Sequence, residues 1–179
     1  MEFEDFLIQS VRRRPDDENW QRQACYALLG LSSEAAQVLD ECRRWAADGQ
    51  LPLGQTLRRR FWGLEFYRAL CYYQLDLRPV RTAPSLSGFG GLPETGELLC
   101  IEAGRLSSLV SGWLFRRQWL DERAVESLRR FEAERQRLYT VLGVAETDVW
   151  AEFLAGYDAG HSPYNTLPSR LDLRPHSAA

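Results

Sequence analysis

Two apolar stretches with helical periodicity, Tyr26–Trp45 and Leu57–Leu77, constrain this chain more than any other feature. In the first, Ala35, Val38, Leu39, Cys42 and Trp45 recur at the spacing of one helix face. The second carries Phe61, Trp62, Phe66, Tyr67, Tyr72 and Tyr73, hydrophobic nearly all round, which is the pattern of a central buried helix. Leu, Ala, Glu, Arg and Gln dominate and alternating Val, Ile and Thr runs are absent, so the expected fold class is all-α. At 179 residues and 45% hydrophobic content the chain can bury a sizeable core. It suits one ordinary domain, or two small helical units sharing a core.

The flanking segments extend this pattern. Residues Phe3–Arg13 read as a short helix with Phe3, Phe6, Leu7 and Val11 on one face, broken at Pro15. Asp16-Asp17-Glu18 opens a second helix, expected to end near Gly30, and Ser32 or Ser33 caps the next one. Residues 46–54 form a loop, and a long helix follows over about 55–75. Further helices are expected over 95–117, from about 120 to 142, and over about 148–157. The resulting division is a helical half at 1–77, a Pro- and Gly-rich linker at 78–93, a second half at 94–158 and an aperiodic tail at 159–179.

Charge and composition exclude several functions. A net charge of −3 argues against duplex nucleic acid as a partner. All 22 basic residues are arginine, which suits bidentate phosphate recognition but follows equally from a GC-rich coding sequence. Cys25, Cys42, Cys71 and Cys100 are scattered, with no paired spacing for zinc, and read as core residues. The acidic start lacks the basic region of a signal peptide, and no apolar run approaches the roughly 20 residues that span a bilayer. The expectation is a soluble, cytoplasmic protein without a membrane partner.

The two halves resemble each other. Glu34-Ala35-Ala36 parallels Glu102-Ala103-Gly104, and Trp45 parallels Trp113. Arg59-Arg60-Phe61 parallels Arg129-Arg130-Phe131, and Leu75-Asp76-Leu77 parallels Leu142-Gly143-Val144. Because the offsets drift, chance likeness between two amphipathic helix pairs stands beside a true repeat. A true repeat would give two pseudo-symmetric halves in one chain, a monomer built like a dimer.

The run Gly30-Leu31-Ser32-Ser33-Glu34-Ala35-Ala36-Gln37-Val38-Leu39-Asp40-Glu41, followed by Gly63-Leu64-Glu65-Phe66-Tyr67, resembles the MazG-like all-α NTP pyrophosphatase superfamily. Leu75-Asp76-Leu77 resembles the end of the family's second helix, and Gly143-Val144 with Val149-Trp150 the helix that closes such domains. The likeness covers residues 3–77 well and 95–157 weakly. It implies a helical bundle and a site where four acids from two facing helices hold Mg²⁺ on a nucleotide's phosphates. Here Glu34 keeps the first acidic position, while Gln37, Arg60 and Gly63 stand at the other three. In the second half Glu102 keeps the first position and Arg105 takes the second. Glu65 lies five residues beyond Arg60, out of phase for a shared face.

Electrostatics then sets the expectation. Four carboxylates carry about −4 and attract Mg²⁺, whereas Glu34 with Arg60 carries about zero and repels it. An internal Glu34–Arg60 ion pair in place of the metal is expected, and no cofactor. Three readings follow. The first is a non-catalytic nucleotide- or phosphate-binding regulator, with Glu34, Gln37, Arg60, Trp20, Trp62 and Arg105 at the ligand. The second is a Mg²⁺-dependent pyrophosphohydrolase drawing its acids from Glu34, Asp40, Glu41, Glu102, Glu132 and Glu134, the metal held by Glu34, Asp40 and Glu41. The third is a protein-interaction module, such as an inhibitor of a defence or toxin system. A monomer or a homodimer fits each of them.

Overall fold

A computed structural model describes residues 1–13, 19–48, 55–77, 91–116 and 122–158. They form α1 (Phe3–Arg12), α2 (Trp20–Asp48), α3 (Gln55–Gln74), α4 (Leu92–Arg116), α5 (Glu122–Leu142) and α6 (Glu146–Asp158). No strand occurs among the described residues, so the fold is all-α. None of these helices is long and apolar enough to cross a membrane.

Helix α2 is one continuous helix, not the two that Gly30 and Ser32 suggested. It starts where the Asn19 side chain accepts the backbone N–H groups of Gln21 and Arg22, at 3.0 and 3.1 Å, a side-chain N-cap. Gly30 is a site of close approach: a Cβ there would come within 2.2 Å of the Tyr67 ring. Ser32 turns its hydroxyl sideways, 2.6 Å from Ser107 and 3.3 Å from the Ala103 carbonyl, tying α2 to α4. The predicted helix opening at 16–18, most of the linker and the tail fall outside the described residues.

Helix α3 is the buried centre that its apolar circumference required. Leu64, Phe66, Ala69 and Leu70 are at most 2% exposed. It packs against α2 on one side and against α1 and α6 on others, while α2 also packs on α4 and α4 on α5. Phe6 of α1 stacks on Trp150 of α6 and meets Phe153 edge-on, so α1 and α6 cover α3 together.

Positions 68 apart in α2 and α4 are buried alike. Leu31, Ala35, Val38 and Cys42 of α2 are buried, and so are Leu99, Ala103, Leu106 and Val110 of α4, each 68 positions further on. Helices α3 and α5 also end alike. Asp76 and Gly143 adopt φ of 49° and 62°, and the following Leu77 and Val144 N–H groups donate to the Tyr72 and Tyr139 carbonyls, both at 3.0 Å. Each is the left-handed closing turn of a helix, which Gly adopts freely and Asp at modest cost.

Candidate functional site

The structure separates the residues that the sequence grouped. Glu34 is 4% exposed and lies across Gly63, where a Cβ would come within 2.5 Å of its Cδ. Burial pushes its carboxyl up to about 7, against the opposing pull of Arg60. Arg60 is therefore near, yet among the described residues no hydrogen bond or ion pair joins the two, and the buried Arg60 Nε has no hydrogen-bond partner. The expected Glu34–Arg60 pair is replaced by a carboxyl folded into the recess that glycine leaves one turn beyond Arg60.

The other candidates point elsewhere. The Gln37 amide donates back along its own helix to Ser33, 3.2 Å from the hydroxyl. Glu41 pairs with Arg44 at 3.0 Å, and Asp40 is exposed, facing Arg43 and Cys100. Trp20 lies against Trp113 with ring centroids 5.5 Å apart. Trp62 packs over Gly156, and its Nε1 donates to Glu152 of α6 at 3.4 Å. Glu102 and Arg105 face α5, where Ser127 donates to the Glu102 carboxylate at 3.0 Å. Among the described residues no three His, Cys, Asp or Glu side chains are grouped to hold a metal ion. The Mg²⁺ implied by the resemblance does not fit the described residues: none of them sets a second carboxylate beside Glu34, and Gly63 has no room for one.

The densest polar constellation among the described residues lies between α3 and α5 and takes in Glu65 and Glu132. Helices α3 and α5 share the spacing Glu-x-x-Arg-x-x-x-Tyr, as Glu65, Arg68 and Tyr72 and as Glu132, Arg135 and Tyr139, 67 positions apart. The bonding is reciprocal. Arg68 reaches Glu65 on its own helix at 2.9 Å and Glu132 across the gap at 2.6 Å. Arg135 reaches Glu132 on its own helix at 3.0 Å and Glu65 across the gap at 2.8 Å. Tyr72 donates to Glu132 at 3.0 Å and Tyr139 to Glu65 at 2.9 Å.

Helix α6 closes the set. Trp150 Nε1 donates to Glu65 at 2.9 Å, and Glu146 lies 2.8 Å from Arg135 Nη2, an ion-pair contact without hydrogen-bond geometry. Burial alone would raise the Glu65 and Glu132 carboxyls, but the two guanidinium groups outweigh it and hold both below the usual range. Every carboxylate here is committed to a partner, so the arrangement locks helices together and offers no base or metal ligand. Its sequence signal was the repeated spacing itself. Glu65, five residues beyond Arg60 on α3, faces α5, where it meets Arg135 and Tyr139.

Comparison with protein-family models, with curated proteins and with solved structures finds no match. The functional reading therefore rests on the residues.

Proposed function

We propose that this chain is a non-catalytic nucleotide- or phosphate-binding regulatory protein on a MazG-like scaffold, its α2–α3 and α4–α5 pairs forming pseudo-symmetric halves. The observation that carries the non-catalytic part is the closure of Glu34 over Gly63. A hydrolytic centre of this kind needs several ionised carboxylates around one point, to bind Mg²⁺ and orient a water. Among the described residues Glu34 instead stands alone, with its carboxyl held toward the neutral form by burial. The halves reading draws support from the reciprocal Glu-x-x-Arg-x-x-x-Tyr pairing and the matched closing turns of α3 and α5.

The test is a panel of ribo- and deoxyribonucleoside triphosphates incubated with Mg²⁺, with pyrophosphate release followed, and a parallel thermal-shift series in EDTA. The expected outcome is no release above the buffer blank and a raised Tm in EDTA with at least one phosphorylated compound, since a ligand that binds the native state stabilises it by mass action. Mg²⁺-dependent release of pyrophosphate that Glu34→Ala abolishes would overturn the reading, as would the absence of any shift.

A further inference from the structure

Resting on that reading, we propose that the ligand is taken up in the groove between α4 and α5, with the guanidinium groups of Arg105 and Arg130 binding the phosphates of a nucleotide-sized organic phosphate. The groove has a volume of about 560 Å³ and is lined by Arg105, Arg123 and Arg130, with Ser108 as a further hydroxyl donor and Leu109 as an apolar wall. That volume is of the size that holds a small organic ligand.

The arginines are preset. Glu102, buried behind Arg105, accepts Arg105 Nη1 on one oxygen and the Ser127 hydroxyl on the other. Glu126 accepts Arg130 Nε at 3.0 Å. Each guanidinium is thus held through one edge, and each side chain remains more than half exposed, at 56% and 57%. A guanidinium presents five N–H groups in a planar fork that suits phosphate oxygens, so a second edge is left to meet a ligand.

The lining carboxylates of Glu102, Glu122 and Glu126 balance the three arginines. Binding therefore rests on short-range hydrogen bonds to a phosphate chain more than on long-range attraction, with Leu109 and the arginine stems left for the less polar part of the ligand. Glu102 stands in α4 where Glu34 stands in α2. The two positions differ in access: Glu34 is folded onto the neighbouring backbone, whereas Glu102 anchors an arginine at the wall of an open groove.

The experiment is calorimetric titration of the full chain in EDTA with ATP, pyrophosphate and adenosine, repeated on Arg105→Gln, Arg130→Gln and, as the control, Arg43→Gln, an exposed arginine of α2 outside the groove. The expected result is binding of ATP and pyrophosphate but not adenosine. Affinity falls at least tenfold in Arg105→Gln and in Arg130→Gln and changes less than twofold in Arg43→Gln. Far-UV circular dichroism confirms that each variant is folded, as expected for exposed side chains. Unchanged affinity in both groove variants, or adenosine binding as well as ATP, overturns the groove assignment while leaving a phosphate-binding role in place. No heat and no thermal shift with any phosphate overturns both.

Discussion

At the scale of single residues, the protonation of Glu34 is the most directly testable property of the chain. Its folded value of about 7 lies above the ordinary 4.5 because burial penalises the charge. For a carboxyl raised in the folded state the sign is fixed. Below pH 4.5 both states hold the proton and the group costs nothing. Between 4.5 and 7 the unfolded chain releases its proton first, so stability declines as pH rises, and above 7 the full cost remains. A shift of that size corresponds to about 3 kcal/mol. Glu34→Gln keeps the shape and removes the charge, so at pH 5, near the lower edge of that window, its Tm should lie within about 3 °C of wild type. At pH 8 it should exceed it by roughly 6–12 °C, at the 2–4 °C per kcal/mol usual for a chain of this size. Glu146 is also raised by burial, but it is present in both proteins and cancels in the comparison. Glu65 and Glu132 are depressed and lose their contribution only as the solution becomes more acidic than the measured window. An equal Tm difference at both pH values would remove the buried-carboxyl account.

At the scale of helices, α6 is held to the bundle by one directional bond into the buried charges, from Trp150 Nε1 to Glu65. Trp150→Phe keeps most of the aromatic surface and deletes the donor. Losing a hydrogen bond to a buried charged group costs about 1.5–3 kcal/mol, so the urea midpoint should fall with an unchanged slope. Amide exchange should quicken in α6 before α2 or α4. Trp62→Phe, which loses a longer bond to the half-exposed Glu152, is the control and should cost well under half as much. Most helices were legible from apolar spacing, with ends within a few residues of those observed. The exception was α2, because a glycine that stops a helix and one that admits a neighbouring ring are the same letter; only the position of Tyr67 tells them apart. The ion-pair lock was hidden for a related reason. A Glu and an Arg three positions apart look like a solvated pair on any helix surface. Their burial becomes visible once α3 and α5 face each other. The site residues were least legible, since Glu34, Trp20, Trp62 and Arg105 separate as soon as the helices are packed.

At the scale of the whole molecule, the crossed pairs make each half depend on the other. Arg68 is 4% exposed and its cross-helix partner is Glu132; Arg135 is fully buried and its cross-helix partner is Glu65. Cutting the chain between α3 and α4 and separating the pieces takes Glu132 and Glu146 from Arg68, leaving it Glu65, and takes Glu65 from Arg135, leaving it Glu132 and Glu146. It also parts α1 from the α6 aromatics against which it packs. Removing one partner of a buried ion pair costs about 3–5 kcal/mol, a large share of the 5–15 kcal/mol by which an ordinary domain is stable. Fragments 1–85 and 86–179, purified apart, should therefore lack cooperative thermal unfolding and near-ultraviolet circular dichroism. Mixed at equal concentration, they should recover both, because the two Glu-x-x-Arg-x-x-x-Tyr helices can then satisfy each other across the gap. Arg68→Met in the first fragment should block that recovery, since Glu132 would be buried without its shortest charge partner. A fragment 1–85 that melts cooperatively alone would mean that apolar packing of α1, α2 and α3 suffices. The reciprocal pairs would then orient the halves without being needed to fold them.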